Sequence, residues 1–175
     1  HYADQSCDPE KHFEELAELA GENNMAIVLG CMERTLDRGG HSLYCSMVKI
    51  TQDGVIRPTH RKLVPTYEER LVWAPGDGHG LQVHSVPPFH MGALNCWENW
   101  MPLPRAALHA QGEDLHIATW PGNKHNTEEI TRFLAREGRS YVLSVASLMR
   151  REDIPDGVPY ADELRAALPA VSGNG

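Results

Sequence analysis

Long hydrophobic runs are missing from this 175-residue chain. No apolar stretch approaches the ~20 residues that a membrane span needs, so no membrane partner is expected. Basic charge is scarce as well: 16 Lys and Arg stand against 24 Asp and Glu, a net charge of −8 with histidine neutral. Such a chain is poorly matched to a phosphate backbone, which argues against nonspecific nucleic-acid binding. Cysteine is limited to Cys7, Cys31, Cys45 and Cys96, and no two of them form a C-x-x-C pair. That excludes a zinc ribbon and a thioredoxin-type motif. The cysteines are also too sparse for a disulfide scaffold, so they read as free thiols in a reducing cytoplasm.

Two further absences narrow the chemistry. The ten histidines are scattered, with no H-x-x-x-H or H-E-x-x-H pair on a helix, so no metal site is expected. The glycine-rich stretch Gly76-Asp77-Gly78-His79-Gly80 lacks the Lys-Ser/Thr of a P-loop, so it does not predict phosphate binding. Repeats, low-complexity tracts and linkers are absent. Hydrophobic residues at 41% and charged residues at 23% fit an ordinary folded domain rather than a disordered or fibrous chain.

What is present alternates between strands and helices. Asp8-Pro9 opens a helix that runs to about Glu22, with Phe13, Leu16, Leu19 and Ala20 at helical spacing. Strands are predicted over Met25–Met32 and Leu43–Thr51, with a turn at Asp37-Arg38-Gly39-Gly40 between them. Asp53-Gly54 signals a hairpin into Val55-Ile56, so the strands on either side of that turn are expected to pair antiparallel. After a proline-rich stretch come strands at Leu81–Val86 and Met91–Cys96, and a helix at Leu103–Ala110. A strand at Leu115–Trp120 follows, then a helix from Asn126 with Ile130, Phe133 and Leu134 on one face, and an apolar strand at Tyr141–Leu148. Helices separating apolar strands point to an α/β fold with helix-covered sheets.

Four positions could carry chemistry. Cys96 ends a strand just before a helical segment, where a thiol is presented and backbone N–H groups can face a developing oxyanion. Its bland alternative is a fourth buried cysteine, the role expected of Cys31 and Cys45 in their apolar stretches. Lys62, after His60-Arg61, could lower a thiol pKa or stabilise negative charge; otherwise it is a solvated basic residue. Glu69, seven residues on, could hold that lysine or relay a proton, or simply pair with Arg70 on the surface. The N–H of Trp97 follows Cys96 directly.

The order lysine, glutamate, cysteine carries a resemblance. His60-Arg61-Lys62-Leu63-Val64-Pro65-Thr66-Tyr67-Glu68-Glu69-Arg70-Leu71-Val72-Trp73 resembles the lysine motif of the nitrilase branch of the carbon–nitrogen hydrolase superfamily. Gly92-Ala93-Leu94-Asn95-Cys96-Trp97-Glu98-Asn99 resembles its nucleophile motif. Gly39-Gly40, Asp53-Gly54 and Leu115-His116-Ile117-Ala118-Thr119-Trp120-Pro121-Gly122 follow the family in the same order. The resemblance spans about residues 8 to 155, and Cys-Trp-Glu is the pattern of nitrile-converting members.

The resemblance implies an α-β-β-α sandwich that pairs into a homodimer and extends, in many members, into spirals. It implies a Glu-Lys-Cys catalytic set in which Cys96 is the nucleophile, Lys62 the lysine and Glu69 the second glutamate. The backbone N–H of Trp97 joins Lys62 at the oxyanion. No cofactor is implied. The substrate would be a nitrile, with an amidase or related C–N hydrolase as the neighbouring alternative and a noncatalytic nitrilase-like oligomerisation module as the alternative of another class. The family's first glutamate, in a Pro-Glu motif at a strand end, has no match here; Glu10, Glu14 and Glu15 lie in the first predicted helix. The expectation is therefore one carbon–nitrogen hydrolase domain over residues 1–175, an internal segment without the first glutamate's strand and the closing strands. Little turnover is expected of that segment alone, since base assistance is worth about 10²–10⁴-fold.

Overall fold

Asp8-Pro9 starts a helix as expected, because the fixed φ of proline suits the first helical position. In the computed structural model, which describes residues 2–35, 41–122, 124–147, 149–168 and 171–172, the helix comes in two pieces. They are α1 (Pro9–His12) and α2 (Glu14–Glu22), separated by Phe13 at φ −112°, ψ 18°. Ala17 and Ala20 are the buried face of α2, while Leu19 points outward and is 51% exposed. Small residues let the helix lie close to the strands beneath it.

Those strands are β1 (Ile27–Arg34), β2 (Leu43–Ile50) and the short β3 (His60–Arg61), in that order and antiparallel. Cys31 pairs with Ser46, and Met47 with His60. The Asp53-Gly54 turn reverses the chain so that Ile56 bridges back to Ile50. Gly54 sits at φ +74°, and a Cβ there would meet the Ala17 carbonyl at 2.8 Å, so this turn needs glycine on both counts. The turn expected at Asp37–Gly40, and the Gly39-Gly40 part of the family pattern, lie outside the described residues.

The second sheet is β4 (His84–Val86), β5 (Phe89–Asn95), β6 (Leu115–Trp120) and β7 (Tyr141–Ala146). β4 and β5 are antiparallel; β5, β6 and β7 are parallel. Their crossovers are α3 (Pro102–His109) and α4 (Lys124–Gly138), as parallel strands require. A short pair, β8 (Met149–Arg150) with β9 (Val171–Ser172), and α5 (Ala161–Ala167) follow.

Strand periodicity sorts the side chains into layers. Val28 and Met47 of the first sheet meet Met91, Ala93, Leu115 and Ile117 of the second between the sheets. On the outer side of the first sheet, Ile27, Leu29, Val48 and Ile50 pack on α2. On the outer side of the second, Ala118, Trp120, Val142 and Ala146 pack on Ile130 and Leu134 of α4. The layers are α-β-β-α, as expected. Phe133, assigned to the same face as Ile130 and Leu134, is instead 47% exposed, under the Arg105 guanidinium. β7 buries only one of its faces: Tyr141, Leu143 and Val145 are 69%, 54% and 53% exposed. No helix of the described residues is long and apolar enough to cross a membrane.

Candidate active site

Both sheets deliver a residue to the same place. β3 ends at Arg61, and Lys62 follows with its N–H on the Cys45 carbonyl at 2.8 Å and its carbonyl receiving Gly76 N–H at 2.8 Å. The glycine-rich loop does this bracing. A Cβ on Gly76 would fall 2.1 Å from the Arg61 carbonyl, and one on Gly80 2.2 Å from His60 Cα. The glycines let the loop backbone lie directly on β3. Lys49 adds a clamp, donating from Nζ to Gly80 O at 2.9 Å and Gln82 O at 3.1 Å; its burial draws its pKa down to about 8.

Lys62 is not a solvated surface residue: it is 1% exposed. Its Nζ donates to Glu69 Oε2 at 2.6 Å. Glu69 sits in the 3-10 turn Tyr67–Leu71, where it also accepts the Thr66 N–H at 2.6 Å, the reciprocal capping arrangement of Thr-x-x-Glu. The pairing of Glu69 with Arg70 does not form; Arg70 Nε donates to the Pro65 carbonyl at 2.9 Å instead.

From the other sheet, β5 ends at Asn95, and Cys96 begins the 3-10 turn Cys96–Trp100 at φ +56°. A non-glycine residue held at positive φ stores strain, which its surroundings must offset. Here Asn99 Nδ2 donates to the carbonyls of Cys96 at 2.9 Å and Leu94 at 3.2 Å. Asn99 Oδ1 is in turn held by His116 Nε2 at 2.8 Å, and His116 Nδ1 meets Glu113 Oε1 at 2.8 Å. All four side chains, Cys96 included, are buried.

Cys96 is 8% exposed and forms part of a cleft of about 380 Å³ with Trp97, Trp100, Trp120 and Pro121 among its walls. Burial pushes the Cys96 thiol up; the Lys62 charge and the Trp97 N–H draw it back, and Glu69 and Glu98 oppose them. Lys62, Glu69, Cys96 and Trp97 are thus within one electrostatic neighbourhood. Glu10, Glu14 and Glu15 are exposed on α1 and α2.

Several residues here had no role in the sequence reading. Cys45 was expected to fill the core, but it is only partly buried. Its Sγ accepts from Asn95 Nδ2 at 3.2 Å, and the Lys62 charge acts on it. Cys31, partly buried too, does pack on the α2 core. Glu98 and His60 form a buried pair beside Lys62. The signal for Glu98 was in the sequence: Asn95-x-x-Glu98 repeats the capping pattern of Thr66-x-x-Glu69. Nothing local marks Asn99 with His116, whose meeting depends on the crossover between β5 and β6. Among the described residues, no three His, Cys, Asp or Glu side chains are grouped to hold a metal ion.

Comparison with known proteins accords with this geometry. Nitrilase 2 of Arabidopsis thaliana is 39% identical over 87% of this chain and 44% of its own length. An aliphatic nitrilase of Sinorhizobium fredii is 38% identical over 91% of this chain and 51% of its own. The chain thus spans about half the length of these relatives. Among solved structures, an amidase from Nesterenkonia sp. superposes with a TM-score of 0.66 at 16% identity, over 82% of this chain and 54% of that one. A carbon–nitrogen hydrolase from Helicobacter pylori gives 0.63 at 18%, over 86% and 59%. These likenesses support the same fold. The profile of the carbon-nitrogen hydrolase family matches residues 1–154, and the chain belongs to that family, within its nitrilase branch.

Proposed function

We propose that this chain carries the thiol half of a nitrile-hydrolysing site, in which Cys96 is the nucleophile and Lys62 the fixed positive charge. The observation that carries the proposal is the buried Lys62, paired with the partly exposed Glu69 at 2.6 Å, whose cation acts on a thiol that also faces the Trp97 N–H. A buried amine with no chemical role is costly; beside a nucleophile it stabilises charge that appears only during reaction.

The Cys96 proton goes to a base, the glutamate that the family resemblance implies and that no residue of this chain matches. The thiolate sulfur then bonds to the nitrile carbon as the C≡N bond loses one π pair to nitrogen. Lys62 and the Trp97 N–H stabilise the negative charge, and protonation of nitrogen gives a thioimidate. Water adds, ammonia leaves with the C–N bond, and a thioester remains. A second water releases the carboxylic acid and restores the thiol. One nitrile and two waters become one acid and one ammonia, with no electron transfer. Glu69 holds the Lys62 amine in place through its 2.6 Å hydrogen bond.

The stretch matched to each nitrilase relative is about half of that relative's length. Self-association through helices is supported by the exposed Leu103 on α3 and Phe133 on α4. The four free cysteines support a reducing, cytoplasmic setting. The test is ammonia release from matched nitriles and amides by the native protein carrying this sequence, with Cys96→Ala as control. Cys96-dependent release from nitriles is expected. Turnover of amides alone would make it an amidase, and no turnover with an unreactive Cys96 would favour a noncatalytic module.

A further inference from the structure

We propose that Glu98 is a positioning residue: its carboxylate latches the chain segment carrying Lys62 to the turn carrying Cys96. The inference rests on the assignment of those two residues as reacting charge and nucleophile. Glu98 is fully buried. Its Oε1 accepts the Leu63 N–H at 2.6 Å, its Oε2 accepts the Asn95 N–H at 3.0 Å, and His60 Nε2 reaches both oxygens at 3.1 and 2.9 Å. Leu63 directly follows Lys62, and Asn95 directly precedes Cys96. One carboxylate therefore grips the immediate neighbours of both residues, which come from different sheets.

A helical cap needs only the bond to Asn95. The bonds to Leu63 and His60 cross to the first sheet and do nothing for the turn itself. His60 serves the same latch. A carboxylate can only accept, so Nε2 carries the proton, and buried Nδ1 has no other polar partner among the described residues. The charge of Glu98 works against a thiolate, since it pushes the Cys96 thiol up. A buried anion at this place is therefore unfavourable for the chemistry as a charge and useful as a fixed acceptor of three donors. A neutral amide could not replace it, because its NH₂ end would face an N–H donor.

The experiment compares the chain with its Glu98→Gln variant in the pH dependence of Cys96 alkylation by iodoacetamide, read by peptide mapping. Loss of the latch lets Lys62 drift from the thiol. The expected result is a profile displaced upward, with labelling at neutral pH slowed by about ten-fold, the effect of one pKa unit on thiolate population. Removal of a negative charge alone would displace it downward and speed the labelling. An unchanged or accelerated rate in a folded variant overturns the proposal. Should the variant not fold, the unaltered ¹⁵N-labelled chain decides. Leu63 and Asn95 amide protons that are downfield-shifted and slow to exchange support the latch, and unshifted, fast-exchanging ones overturn it. A Cys96 that resists alkylation at every pH in the unaltered chain would instead count against the thiol reading, leaving the amide signals to judge the latch.

Discussion

Thr66-x-x-Glu69 and Asn95-x-x-Glu98 are the same local device used to different ends. Each opens a 3-10 turn, and each closes a capping box in which the third residue reaches back to the N-cap N–H. Beyond that they diverge. The Glu69 side chain is 28% exposed and directs its second bond to the Lys62 amine. Glu98 has no exposure and directs its remaining bonds to His60 and a backbone N–H. Where the partner is a charged amine beside the thiol, the glutamate serves electrostatics. Where the partners are an imidazole and a peptide group, it serves geometry. Burial divides the two roles, since a carboxylate cut off from water must fill its acceptor sites with fixed donors.

The comparison is broken most severely by removing the buried member. Glu98→Ala leaves the Leu63 N–H, the Asn95 N–H and the His60 Nε2–H without their acceptor. At roughly 1–3 kcal/mol for each buried orphan, the loss of stability is expected to be at least about 3 kcal/mol, read from urea unfolding. A loss under about 1 kcal/mol would mean that water or another group takes the donors, and that the two glutamates are alike. Next comes Lys62→Ala, which removes what Glu69 holds. In the active native protein it is expected to cost at least ~10²-fold in kcat, the scale of losing one oxyanion donor, and Lys62→Arg is not expected to restore it. Near-normal turnover would demote the Lys62–Glu69 pair to structure.

Matched neutral substitutions sharpen the contrast further. Glu69→Gln retains an acceptor for Lys62 while deleting a charge that pushes the Cys96 thiol up. Its alkylation profile should therefore move down in pH, whereas that of Glu98→Gln moves up. Displacement of both profiles in one direction would erase the distinction. In all forms Cys31 should label more slowly than Cys96. Burial pushes both thiols up, but neighbouring Cys7 and Glu33 add to the rise at Cys31, whereas the Lys62 charge draws Cys96 back.

How far this was legible beforehand follows from which contacts are local. The helix at Asp8-Pro9, the hairpin at Asp53-Gly54 and the strand at Leu115–Trp120 are written in neighbouring residues, and they stand within a few positions of where they were expected. The break at Phe13 was not: Phe13 packs on the core shared by α2 and the first sheet, a contact that no neighbouring residue announces. Lys62, Glu69 and Cys96 were singled out through motif order, yet the burial of Lys62 was not foreseen: that it lies inside depends on the glycine loop folding over β3. Glu98 carried a readable capping signal, but its long-range half, 35 residues away at Leu63, needs both sheets in place. Cys45 read as core because its stretch is apolar, while its β2 register turns its Sγ toward Asn95.

A third glutamate marks the weak end of the scale. Glu137 on α4 takes Arg105 Nε at 2.5 Å and Nη2 at 3.1 Å, while Arg105 Nη1 donates to the Asn99 carbonyl at 3.1 Å. The arrangement thus supports the turn after Cys96 from outside. The hydrogen bond from Arg105 is the main reason the Glu137 carboxyl is held below its ordinary range. A depressed folded pKa means that the paired form stabilises the fold above the ordinary carboxylate range, and that this contribution fades as pH falls through the folded value. The Glu137 side chain is 34% exposed, so solvent screens the pair. Glu137→Gln is therefore expected to lower stability at neutral pH by less than about 1 kcal/mol. The urea midpoints of the two proteins should converge in acid, once Glu137 is protonated in the folded state. A gap that persists unchanged into acid would show that the carboxylate acts by shape rather than charge, which would move Glu137 toward the geometric role assigned to Glu98.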